Sequence, residues 1–172
     1  MSAVIVIVSI TLLMAGVLVP PIGTRWDAYR ARRDLLPLWT LMTDLAPELV
    51  FGHRDLRALV TEIRDISIGP LRPYLDPRVD HHARTMAGAE HASAEARAIG
   101  QAAAIIVAIR AFRDGRPPLV ARPPLIIGIP DQSEHPASEA DEVDALVRIA
   151  KALPNPIVTH VVKELGHVHD HA

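Results

Sequence analysis

The chain has 172 residues, a formal net charge of −2 and 49% hydrophobic residues. That length holds one compact domain, and 22% charged residues argue against global disorder. The near-zero charge and 3% aromatic content exclude a general pull on nucleic acid and a base-stacking platform, and the lack of cysteine excludes disulfides, thiolate catalysis and iron–sulfur clusters.

The first predicted element is the apolar run Ala3–Val19, AVIVIVSITLLMAGVLV, which carries no charge. About 17 residues at ~1.5 Å each reach ~26 Å, close to the ~30 Å hydrocarbon core of a bilayer, and Pro20–Ile22 extend it. We therefore expect a transmembrane helix over residues 1–22. Nothing basic precedes the run, which argues against a cleaved signal peptide. Arg25, Arg30, Arg32 and Arg33 follow it, so the positive-inside rule puts the C-terminal side in the cytoplasm. Trp26 and Tyr29 fall where amphipathic rings favour lipid headgroups. Residues 23–35 read as a basic juxtamembrane helix, and the whole as a single-pass protein of the cell membrane.

Residues 36–165 read as a cytosolic α-helical domain. Pro37 and Pro47 punctuate LLPLWTLMTDLAPELVF, leaving a short helix over Leu38–Leu45 with Trp39 as a core anchor. Leu56, Leu59, Val60, Ile63 and Ile66 then fall on one helical face, with Asp55 as the cap and Gly69-Pro70 as the stop. LRPYLDP forms a turn broken by Pro73 and Pro77. From Arg78 to Arg113 the chain is Ala-rich and has no proline, so one long helix is expected, with Gly88 and Gly100 as weak points or close-packing sites. Its apolar second half, AIGQAAAIIVAIRAF, is too short to span a bilayer and reads as the central helix of a bundle, ending at Gly115.

Six prolines (Pro117, Pro118, Pro123, Pro124, Pro130 and Pro136) make residues 116–136 an extended loop. Its apolar residues Leu119, Leu125, Ile126, Ile127 and Ile129 need cover, from a groove of the bundle, a partner protein or the membrane surface. Ser138 with Asp141 resembles a capping box and opens a helix whose face holds Val143, Leu146, Val147 and Ala150, with Pro154 as its stop. A last helix runs from Pro156 to Leu165 and ends at Gly166. Residues 166–172 form a His-rich polar tail. No βα alternation appears, so the fold class is all-α: a transmembrane helix followed by a small irregular bundle with a Pro-rich loop.

Residues with chemical potential are few. His167, His169 and His171 are metal candidates, but alternate spacing on a frayed end fixes no geometry. His160 and His167 are two turns apart, which matters only if the last helix reaches that far. His81 and His82 are adjacent and diverge on a helix, and His91 shares a face with Glu95. The carboxylate pairs Glu62/Asp65 and Asp141/Asp144 fall on polar helix faces. The first lies beside Arg57, Arg64 and Arg72, and the second is favoured by a helix N-terminus. Phosphate-loop, dinucleotide, zinc-protease and nucleophile-elbow motifs are all missing.

PLWTLMTDLAPEL, then DLRALVTEIRDISIGPLRPYLDP, then an Ala-rich helix and an acidic amphipathic one form a pattern. Its most telling part is Glu62–Asp65 (EIRD) with Leu71–Leu75 (LRPYL). Over residues 3–153 it resembles the C-terminal part of an actinobacterial family of putative transporters, or integral membrane proteins of unknown function, the DUF6545 type. The resemblance implies a cytosolic helical domain following membrane helices. One apolar run encloses no pathway, so transport is not implied. We expect a membrane-anchored, non-enzymatic interaction or regulatory domain without a cofactor. Its partners are the bilayer and another protein, not nucleic acid. Two alternatives are a histidine/carboxylate metal sensor or enzyme using His81, His91, Glu95 and Glu62, and a soluble helical oligomer that buries residues 3–19 between subunits.

Overall fold

The computed structural model describes residues 26–50, 55–88, 93–119, 127–128 and 138–168. Among them are six helices and no strand. The apolar run at residues 3–19 lies outside the described residues. Among those described, no helix is long and apolar enough to cross a membrane.

Helix α1 covers residues 26–43 without a break, where two short helices were expected on either side of Pro37. Pro37 stands inside it, on the exposed side. A proline there lacks the N–H owed to the carbonyl four residues back, and burial of the opposite face holds the helix across the gap. That face is Leu35, Leu38, Met42 and, just beyond the helix, Ala46, all buried. A 3-10 turn at Pro47–Leu49 follows.

Helix α2, Leu56–Ile68, matches its predicted pattern. The Asp55 carboxylate accepts the Ala58 N–H at 2.7 Å, and Leu59, Val60, Ile63 and Ile66 are buried. A second 3-10 turn, Arg72–Tyr74, leads to α3, Pro77–Ala87. Pro77 opens that helix rather than breaking it, since a missing N–H costs nothing at a first turn.

The expected Arg78–Arg113 helix is two helices, α3 and α4, the latter Ser93–Arg113. At Gly88 the chain turns to φ 62°, ψ −166°, a conformation open essentially to glycine alone. Alanine propensity favours helix on both sides of that point, and one glycine outside the helical region ends α3.

Helix α4 is the centre of the bundle, packed against α3, α5 and α6. Its buried residues are mostly small: Ala98, Gly100, Ala102, Ala103, Ala104 and Ala108, with Ile99 and Ile105. Gly100 sits under α3, where a Cβ would lie 2.5 Å from Asp80 Oδ1 and 2.7 Å from the Asp80 carbonyl oxygen. Only glycine permits that approach. Gly115, at φ 63°, closes the helix as predicted.

Helix α5, Glu139–Ala152, starts with the predicted capping box: the Asp141 N–H donates to Ser138 Oγ, and Asp141 accepts from the Ser138 N–H. Helix α6 is Pro156–Val168. It passes through Gly166 instead of stopping there, because a lone glycine costs a helix only about 1 kcal/mol and no proline follows.

Candidate interaction surface

The outward face of α1 carries the residues expected to flank a membrane. Trp26, Tyr29, Arg30, Arg33 and Leu36 recur every three or four residues, opposite the buried stripe of Leu35, Leu38 and Met42. Trp26 is 67% exposed and Tyr29 59%, with ring centroids 6.3 Å apart. Arg32 is turned sideways and half-buried, and its Nε is buried without a partner. Arg25 lies outside the described residues.

Beside this face the inner side of α1 runs into an open groove of about 450 Å³. Ala28 and Ala31 of α1, Leu56 of α2, and Ala140 and Val143 of α5 line it, with Asp27, Glu139 and Asp144. Two caps fix this geometry, Asp55 starting α2 and Ser138 starting α5. Two ion pairs then tie α2 to α5: Arg57 Nε to Glu139 Oε1 at 2.8 Å, and Arg64 Nε to Glu142 Oε1 at 2.9 Å. The Glu139 carboxylate in turn holds the Arg57 guanidinium above its usual pKa. The acids of the α5 first turn sit at the positive end of a helix dipole. Asp141 is held below its ordinary pKa by the Ser138 hydroxyl and backbone N–H.

A second groove of about 420 Å³ lies at the C-terminal end of α4, between Tyr74, Asp76, Val107, Ala111, Arg116, Pro117 and Leu119. Tyr74 meets Phe112 edge to face at 5.6 Å. The start of the Pro-rich segment is pinned here, the Leu119 N–H donating to the Pro73 carbonyl at 2.8 Å. Of the five apolar residues proposed from sequence, Leu119 is 37% exposed on this groove. Ile127 is half-buried against the domain's own core. Its neighbour Gly128 donates its N–H to Gln101 Oε1 at 3.3 Å. Leu125, Ile126 and Ile129 lie outside the described residues.

Asp141 and Asp144 stand exposed at the start of α5, as expected, but the pair Glu62/Asp65 is not what its spacing implied. Glu62 is 1% exposed, not on a polar face, and its Oε2 accepts the Trp39 indole N–H at 2.5 Å. Arg57 and Arg64, assigned to Glu62 and Asp65 by proximity, reach α5 instead. Asp80, overlooked in the sequence, is the other buried acid among the described residues, at 5% exposure. Arg84 donates to it from Nε at 3.1 Å and Nη2 at 2.7 Å. Burial pushes its carboxyl above the ordinary value, against the pull of Arg84. The signal available was Asp80 with Arg84 at i, i+4 on a helix ahead of a glycine-bearing partner.

The histidines do not assemble with the acids named beside them. His81 and Glu95 are exposed on different helices, and His91 lies outside the described residues. His82 Nε2 is 3.2 Å from Glu164 Oε2, and His160 Nε2 is 4.0 Å from it. Helix α6 does reach residue 167, while His169 and His171 lie beyond the described residues. Among the described residues, no group of three or more His, Asp or Glu could hold a metal ion.

A family model described as a family of unknown function, DUF6545, matches residues 24–155. No curated protein and no solved structure matches the chain.

Proposed function

The chain belongs to the DUF6545 family, and from that premise we propose a single-pass membrane protein whose cytosolic helical domain binds a partner protein, as a regulatory or accessory subunit without a transport pathway. The supporting observation is the exposed Trp26–Tyr29–Arg30–Arg33 face of α1, which begins seven residues after the apolar run ends at Val19. Leaving a large apolar ring in water forgoes about 1.5–3 kcal/mol of burial. A headgroup layer, or a protein face standing within it, takes up such rings and the arginines beside them. The two open grooves supply apolar area for a partner. The test is alkaline extraction of membranes from a bacterial host expressing the full chain. Retention in the pellet supports the anchor. Release as a defined oligomer overturns it in favour of a seam at residues 3–19.

A further inference from the structure

The α1–α5 groove and the outer face of α1 carry opposite, unspent charges. Asp27 and Asp144 stand at the groove and Arg30 and Arg33 on the outer face, and none of the four makes an ion pair with another described residue. We propose that the groove receives a second copy of this chain, which presents the Arg30–Arg33 face of its own α1.

Two relations support that occupant. The charges match: two arginines three residues apart meet an acid-edged groove with a floor of small apolar residues. The heights match on the premise, taken from the proposed function, that residues 3–19 anchor every copy. Arg30 and Asp27 are three residues apart on one helix, about 4.5 Å along its axis, so with α1 standing along the bilayer normal both faces lie at nearly one level. Confinement to one plane also raises the effective concentration of the copies. Arg30 and Arg33 lie roughly opposite Ala28 and Ala31 around α1, so the contact is head-to-tail. It closes into a ring or extends as a row along the membrane, rather than forming a two-fold pair.

The lack of cysteine in the chain makes the test clean. Full-length Tyr29→Cys and Ala140→Cys variants, both at exposed positions, are co-expressed and oxidised in the membrane. Each variant alone is the control, and thermal melts confirm that all variants fold. The expected result is a disulfide-linked dimer in the mixture, at least tenfold above either variant alone. Adding Asp27→Arg and Asp144→Arg to the Ala140→Cys chain lowers that yield by tenfold or more. The same membranes are extracted at alkaline pH. A chain that stays in the pellet with no excess of mixed dimer overturns the contact and leaves the anchor standing. A chain that washes off removes the anchor and the contact together.

Discussion

The Trp39 indole N–H and the Glu62 carboxylate meet at 2.5 Å across 23 residues of chain, joining α1 to α2. Glu62 is almost wholly buried, so this donor matters more than an exposed one would. Trp39→Phe keeps most of the ring and removes the N–H. It is expected to cost about 1.5–3 kcal/mol of stability by urea unfolding, in the range for hydrogen bonds to charged groups. Glu62→Gln should recover part of that loss in the Trp39→Phe background, and a purely additive pair would show that the contact is not coupled.

Gly100→Ala forces a methyl group against Asp80. The Cβ position is 2.7 Å from a backbone oxygen, which cannot swing aside as a side-chain tip can. The expected loss is about 1–3 kcal/mol, by the rule for overpacked cores. Denaturant midpoints for wild type and variant measure it, and an unchanged midpoint would mean that α3 does not lie so close to α4.

Asp80 makes stability depend on pH in a definite direction. Its folded pKa is raised above the ordinary 3.8, because burial outweighs Arg84. Its contribution is therefore fully present below 3.8 and is lost as pH rises through the raised value. Asp80→Asn keeps an acceptor for Arg84 without the charge. The variant should gain on wild type as pH climbs above 3.8. Asp141 works the other way: its folded pKa is lowered, so its contribution holds above 3.8 and fails as pH falls through the lowered value. Melting temperatures of wild type, Asp80→Asn and Asp141→Asn across acidic pH separate the two.

Leu119→Asp and Ile127→Asp should behave differently, though both belong to the Pro-rich segment. Leu119 is partly exposed on its groove, and an aspartate there should cost about 1–2 kcal/mol. Ile127 packs against the core, where an unpaired charge is costly. Pull-down of partners from membranes is therefore decisive with Leu119→Asp, whose fold is preserved. An unchanged partner set with that variant would remove Leu119 from the binding surface.

What the sequence made legible was local. The Asp55 and Ser138 caps, the Gly115 stop and the buried stripe of α2 each depend on neighbours within a turn or two, and all stand where expected. The α3–α4 break was legible only as a weak point at Gly88, because proline-free alanine-rich chain reads as helix unless the φ of that glycine is known. Pro37 misled for the converse reason: the local cost of a proline was outweighed by burial of Leu35, Leu38 and Met42. Glu62 and Asp80 were misplaced or missed because burial of an acid is set by distant partners, Trp39 for one and the face of α4 bearing Gly100 for the other. The α1–α5 groove gathers residues from three helices, and no single window of sequence contains it.

The chain has two tryptophans, and α1 holds both of them in unlike surroundings. Trp26 stands in the open beside Tyr29, and Trp39 is half-sheltered with its N–H on a carboxylate. The molecule thus carries its own pair of optical reporters on one rod. Emission from Trp39 tracks the loosening of the bundle, while emission from Trp26 tracks what touches the first turns of α1. Replacing either ring with phenylalanine leaves the other as a single-channel signal, so docking and unfolding can be watched separately without attaching a dye.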